Sequence, residues 1–188
     1  MLKFNHFSVL APVYEKYISP IVPEKLISLA NLPVHGKILD VGGGTGRVSQ
    51  FLSPYADLVF LADQSYPMTQ ESGKKVSLIP VCTESESLPF PSNTFDRIIM
   101  VDALHHVNQQ EHTLNELWRI TKPGGILIIE EPDIHTLYVK LIALAEKLAL
   151  MRSHFLAPET IANHFRKLPG MVSIERQEST AWVVVKKN

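Results

Sequence analysis

KILDVGGGTGRVSQFL, residues 37–52, decides how the rest of the 188-residue chain is read. Ile38, Leu39 and Val41 form a short apolar run that ends in a glycine-dense turn, and apolar runs bounded by glycine read as buried strands. Val48, Phe51 and Leu52 follow at i, i+3 and i+4 spacing, the apolar face of a helix. Gly42, Gly43, Gly44 and Gly46 allow a sharp turn and let a ligand reach main-chain N–H groups that no side chain shields. A helix starting near Thr45 is expected to aim its positive end into that turn. Strand, turn and helix together predict the seat of a nucleotide-like cofactor.

Outward from this unit, strands and helices alternate. Strands are predicted over residues 58–61, finishing at Asp63, and over 77–82, 97–101 and 126–129, with two late ones over 172–175 and 181–185. Residues 1–31 read as a helical cap punctuated by Pro12, Pro20 and Pro23, with Pro23 placed to open a helix. Further helices are expected over 68–75, after a cap at Asn108, over 136–153 and from Pro158. Lys122-Pro123-Gly124-Gly125 reads as a stop-and-turn signal. Strands apolar on both faces imply a parallel sheet covered by helices on both sides. In such sheets ligands bind beyond the carboxyl ends of the strands. That rim collects the glycine turn, Asp63, Glu84-Ser85, Asp102 and Glu130-Glu131.

Composition excludes several classes. The net charge of −1, with no run of Lys or Arg, offers no electrostatic footprint for nucleic acid. One cysteine, Cys82, permits no internal disulfide and is expected to lie buried within its strand. No stretch reaches the roughly 18 apolar residues of a membrane span, and the first residues lack the apolar core of a signal peptide. The length suits a single domain over 1–188, and the expected location is cytoplasmic. His105, His106 and His112 lack the spacing of a zinc helix, so no metal is expected.

The glycine turn differs from a dinucleotide fingerprint. Arg47 stands where G-x-G-x-x-G needs its last small residue, and no phosphate-cradling G-x-x-x-x-G-K-[ST] occurs. Asp63, about twenty residues past the turn, has the spacing at which a carboxylate reaches ribose hydroxyls. A solvated loop acid or a helix cap is the plainer alternative.

ILDVGGGTG, Asp63 closing the second strand, ESESLPFPSNTFDRIIMVDALHHV and TKPGGILIIEEP together resemble a class I S-adenosylmethionine-dependent methyltransferase. The similar subgroup is the small "type 11" one, which includes ubiquinone and menaquinone methyltransferases. The resemblance spans residues 34–132 and is looser over HFSVLAPVYEKY near the N-terminus. It implies a Rossmann-like α/β three-layer sandwich whose seven-stranded, mostly parallel sheet carries a late antiparallel strand. It implies that Gly42, Gly43, Gly44 and Gly46 form the turn around the methionine tail of S-adenosyl-L-methionine, with Asp40 towards its amino group. Asp63 would take the ribose, Gln64 and Met68 would lie beside the adenine, and Glu84 with Ser85 would meet the adenine edge. Val101 and Asp102 would border the sulfonium and the acceptor. An acid at Asp102 departs from the small or aromatic residue common there.

Methyl transfer from a sulfonium is an in-line displacement, so alignment and exclusion of water carry most of the work. A base helps only where the acceptor must lose a proton, and His106, His105, Asp102 and Tyr14 are the candidates. Capping or packing roles are the alternative for the histidine pair. Glu130-Glu131-Pro132-Asp133 reads either as a solvated loop or as a substrate-side acidic group. In the helix over 136–153, Leu137, Leu141, Leu144, Leu148 and Met151 stack on one side. A core helix is the first reading of that stripe; a lid over a greasy acceptor, a dimer face or a membrane-surface contact is the second. The segment 136–157 is taken as a helical insertion after strand five, facing Tyr14 and Tyr17 across the pocket. The acceptor is expected to be small or lipid-like, the chain a monomer or homodimer. A non-catalytic cofactor-binding partner subunit and a nicotinamide-dependent oxidoreductase are the competing functions.

Overall fold

In the computed structural model, which describes residues 24–148 and 153–188, strands are covered by helices on both faces. The order is α1 (Glu24–Leu29), β1 (Val34–Val41), α2 (Ser49–Leu52), β2 (Ala56–Asp63), α3 (Tyr66–Ser72), β3 (Leu78–Cys82), β4 (Phe95–Val101), α4 (Gln110–Ile120), β5 (Thr121–Pro132), α5 (Leu137–Leu148), α6 (Pro158–Phe165), β6 (Gly170–Gln177) and β7 (Thr180–Lys187). They form one seven-stranded sheet ordered β3-β2-β1-β4-β5-β7-β6. β1 through β5 pair in parallel, whereas β7 pairs antiparallel with both β5 and β6. This is the expected Rossmann-like, mostly parallel sheet with its late antiparallel strand.

Side chains alternate across a strand, and that alternation divides the core in two. Leu39, Ile98, Met100, Leu127 and Ile129 face α4 and α6, meeting Leu114, Leu117, Ile161 and Phe165. Ile38, Val59, Leu61, Ile99 and Ile128 face the other way, against Leu26 and Ala30 around α1 and Leu52 of α2. The amino ends of the central strands are pinned by Asp96. Its carboxylate accepts the Lys37 N–H at 2.9 Å and the Lys122 ammonium at 2.8 and 2.9 Å. Desolvation pushes Asp96 up, but these bonds and the Lys122 and Arg97 charges outweigh it and hold the carboxyl below its ordinary value.

Several expectations change. The helix expected from Thr45 is a run of turns, and regular helix occupies only Ser49–Leu52. Gly44 and Gly46 adopt φ of +57° and +81°, a left-handed backbone that a right-handed helix cannot contain. Asn108 is not the cap of α4; Gln109 is, without a side-chain cap bond. The Lys122-Pro123-Gly124-Gly125 signal lies inside the irregular start of β5, where pairing shifts between Phe95 and Arg97 and Gly124 has φ +76°. Cys82 is exposed rather than buried, because β3 is the sheet's edge strand and only Leu78 on it is fully covered. The N-terminal cap and residues 149–152 lie partly or wholly outside the described residues, with Tyr14, Tyr17 and Pro23 among those not covered.

The largest change concerns α5. Its start is capped by Thr136, whose hydroxyl donates to the Asp133 carbonyl at 2.9 Å and accepts from the Val139 N–H. Beyond that cap Val139 is buried at 1% exposure, whereas Leu137, Leu141 and Leu144 are exposed at 73%, 58% and 54%. Leu137, Leu141 and Leu144, the part of the stripe whose side chains are described, are not a core face. No helix among the described residues is long and apolar enough to cross a membrane.

Gly46 tests the local argument. A Cβ there would meet Leu78 Cδ1 at 2.5 Å, whereas one at Gly44 would find nothing nearer than Met68 Sδ at 4.0 Å. Gly46→Ala carries the left-handed backbone cost plus overpacking and should lose about 2–4 kcal/mol. Gly44→Ala carries only the backbone part, about 1–2 kcal/mol. Chemical denaturation of the two variants should rank them in that order.

Candidate functional site

β1 and β4 are neighbours in the sheet, and the chain leaves them towards opposite faces, to α2 and to α4. A crevice therefore opens beyond their carboxyl ends, and a cavity lies there, walled by Asp40 and the Gly42–Gly44 turn, by Asp63 to Ser65 with Met68, by Thr83, Ser85 and Glu86, and by Met100 to Ala103 with His106.

The glycine turn is fixed by two carboxylates. Asp63 ends β2, accepting the Gly44 N–H at 2.9 Å on Oδ2 and the Ser65 N–H at 2.8 Å on Oδ1. Each oxygen retains acceptor capacity towards the cavity. Burial pushes its carboxyl up, and the two backbone bonds pull it down. Asp40, 1% exposed, accepts the Ser49 hydroxyl. Desolvation is the main reason its carboxyl is pushed up to about 6; Ser49 and Arg47 oppose the shift and Asp63 adds to it. The turn needs glycine for close approach as well: a Cβ on Gly42 would lie 2.5 Å from Ala103 Cβ, and one on Gly43 would lie 2.7 Å from Asp40 Oδ2. Gly46 does not reach the wall and serves packing against β2 and β3.

Across the cavity, the loop after β3 is tied to α4. Glu116 accepts the Leu88 N–H at 2.9 Å, and Arg119 donates to the Phe90 and Leu88 carbonyls at 2.8 and 3.1 Å. Phe60, Phe90 and Phe95 pack edge to face beneath it. With Leu88 drawn into the core, Ser85 and Glu86 come to the cavity, and the exposed Glu84 does not line it. The carboxylate on this wall is therefore Glu86, two residues beyond the expected position. Glu86 stands two residues before Leu88, and nothing in the local sequence pattern separates it from Glu84.

The third wall turns out of β4. Asp102 has φ +49°, a left-handed conformation strained for a residue with a side chain, and its N–H donates to the Glu130 carbonyl at 3.0 Å. It is open to the cavity yet ringed by protein; that desolvation, then the charge of Glu131, pushes its carboxyl up, while His105 and Arg47 pull it down. Glu131 is buried and holds the turn: Oε1 accepts the Ala103 and Leu104 N–H groups at 3.0 and 2.8 Å, and Oε2 lies 2.5 Å from His105 Nδ1. The two histidines thus part company. His105 is buried against Glu131 and stacked on Phe155, with ring centroids 4.4 Å apart, while His106 is on the cavity wall with Nδ1 3.3 Å from Ser153 Oγ. The acidic run is not a solvated loop either. Glu130 accepts the Trp182 indole N–H at 2.6 Å and is pushed up to about 7 by burial foremost, and Asp133 pairs with His135 and Arg176. Among the described residues no cluster of three or more His, Cys, Asp or Glu could hold a metal.

Ionising Asp40 costs the folded chain. With the carboxyl raised from 3.8 to about 6, stability attributable to this group is greatest below pH 3.8 and is lost as pH rises through 6, by about 3 kcal/mol in all. Carboxyl NMR titration should find Asp40 near 6, and Ser49→Ala, which removes a hydrogen bond to the ionised form, should move it higher. A titration near 4 in both proteins would refute the desolvated site.

Residues 39–129 match the family model described as Methyltransferase domain. Over 106 residues the chain is 33% identical to the ubiquinone/menaquinone biosynthesis C-methyltransferase UbiE of Pasteurella multocida, covering 50% of this chain and 39% of that one. It is 30% identical over 140 residues to 2-methyl-6-phytyl-1,4-hydroquinone methyltransferase 1 of Oryza sativa, covering 69% and 42%. The matched stretches thus span about two fifths of these curated relatives. The fold is shared with a chain in the complex of the Haloferax volcanii Trm112 methyltransferase activator and a methyltransferase, at TM-score 0.79, 18% identity and coverage of 97% and 98%. Residues 39–129 are thus similar in sequence to a methyltransferase domain, and the sheet order with the glycine turn gives the chain the class I, Rossmann-like methyltransferase fold.

Proposed function

We propose that the chain transfers the methyl group of S-adenosylmethionine to a small, lipid-like aromatic acceptor of the hydroquinone type. The observation that carries the cofactor half is the meeting of Asp40, the Gly42–Gly44 backbone and Asp63 on one wall. In this reading Asp40 takes the ammonium of the methionine tail, Asp63 the ribose hydroxyls, Gln64 and Met68 flank the adenine, and Ser85 with Glu86 meets its edge. Glu84, exposed and off the cavity wall, takes no part in it. Val101 and Asp102 border the reacting methyl.

When bound, the cofactor supplies a methyl group already made electrophilic by its sulfonium. The acceptor's nucleophilic atom forms the new bond as the carbon–sulfur bond breaks, and its electron pair stays on sulfur, leaving S-adenosylhomocysteine. The residues of this chain align the two and hold water out. A hydroquinone carbon must also lose a proton, and His106, on the cavity wall, is placed to receive it. Asp102 is the second candidate. The acceptor class is supported by the names of the curated relatives and by the exposed Leu137, Leu141 and Leu144 following β5 at the same rim. A greasy acceptor, or the membrane surface that carries it, suits such a face.

Calorimetry should find S-adenosylhomocysteine binding that weakens at least tenfold in Asp63→Ala, which loses charge-assisted bonds of about 1.5–3 kcal/mol each. Unchanged affinity would reduce Asp63 to a brace for the turn. Because a protonated Asp40 cannot pair with an ammonium, affinity should also fall about tenfold from pH 7 to pH 5. With labelled cofactor, a prenylated hydroquinone should be methylated, and His106→Asn should lower kcat about a hundredfold while leaving S-adenosylhomocysteine affinity intact. Label appearing on a primary amine or on RNA, and none on the hydroquinone, would overturn the acceptor assignment.

A further inference from the structure

Arg47 was read from the sequence only as an obstacle to a pyrophosphate. In the structure it lies on the cavity wall, three residues beyond Gly44, and among the described residues its buried Nη1 has no hydrogen-bond partner. A guanidinium N–H kept from water without an acceptor is costly. A ligand that brings an acceptor to this point relieves that cost.

The charges on the wall say which acceptor. Asp40, Asp63, Glu86 and Asp102 bring carboxylates, and among the described lining residues Arg47 alone brings a permanently charged cation. Its field reaches Asp40, Asp102 and Glu130 and favours their ionised forms, yet none of these acids occupies Nη1. A methionine tail carries an ammonium and a carboxylate on the same carbon. The ammonium has several acidic partners within the cavity. The carboxylate, among four acids, has one cation to turn to, and the planar fork of an arginine suits it better than any other side chain.

We propose that Arg47 is the partner of the α-carboxylate of the cofactor's methionine tail, opposite Asp40 at the ammonium. This rests on the cavity being the cofactor site, and it makes the glycine turn a zwitterion clamp: backbone in the middle, an anion and a cation at its sides. Arg47 would thereby set specificity for cofactors that retain the amino-acid tail over nucleosides that have lost it.

Calorimetry on the full chain separates the roles, using S-adenosylhomocysteine and 5′-methylthioadenosine, which keeps adenine, ribose and sulfur but lacks the tail. Arg47→Gln should weaken S-adenosylhomocysteine at least about tenfold, the loss of one charge-assisted pair, and leave 5′-methylthioadenosine within about twofold. Arg47→Lys, which keeps the charge but not the fork, should fall between. Equal losses for both ligands would mean that Arg47 only shapes the turn, and no loss for either would leave it without a ligand role; both overturn the proposal. If the unmodified chain binds neither ligand, the cofactor assignment of the cavity fails instead. Retained 5′-methylthioadenosine binding also certifies that a variant is folded.

Discussion

The reversal of strand order at β1 and β4 is the constraint on which the rest depends. β1 pairs in parallel with β2 on one side and β4 on the other, and their outgoing chains turn to opposite faces of the sheet. Main-chain groups at the two strand ends are thereby left without a covering helix, and a crevice between them follows from connectivity alone. Asp40 and Asp102 are brought together because each stands at the end of one of these strands. Alternation then sorts Ile38 from Leu39 and Ile98 from Ile99 into separate cores, so the two carboxyl ends are braced from both sides.

The two walls are built by different means. On the β1–β2 side, glycines supply conformations and clearances that no other residue offers, and carboxylates at the ends of β1 and β2 hold the result. On the β4 side, a strained turn is held from beneath by one buried carboxylate of β5, and β5 is itself paired with β7, with Arg176 of β6 on Asp133 just beyond its end. Changes in the late hairpin would reach Asp102 and His106 through this chain of contacts while leaving the glycine turn alone.

Much of this was legible in the residues. Apolar runs punctuated by glycine and proline gave strand positions within a few residues, and the glycine turn with Asp63 located the crevice. What escaped was rotational phase. The leucines of α5 are spaced as regularly as any core face, yet Leu137, Leu141 and Leu144 face outward and Val139 is the buried residue. Likewise Glu84 and Glu86 are both acids of one polar loop; which of them meets the cavity is decided by how Leu88 is drawn in, a packing event invisible in local pattern. Cys82 misled because a strand's place at the sheet edge is a property of the whole topology. Helix also failed to begin at Thr45, since the glycines that permit the turn forbid the helix.

Glu131 has one more consequence. As a carboxylate it offers only lone pairs, so the 2.5 Å contact with His105 requires the proton to be on Nδ1. That Nδ1 carries a proton is therefore decided by a side chain of the fifth strand that does not line the cavity. A glutamine of the same shape could still receive the Ala103 and Leu104 N–H groups on its one oxygen, but its amide nitrogen would compel the ring to carry its proton on Nε2 instead. One buried atom exchanged for another would leave the backbone where it is and invert the hydrogen-bonding sense of the ring packed against His106.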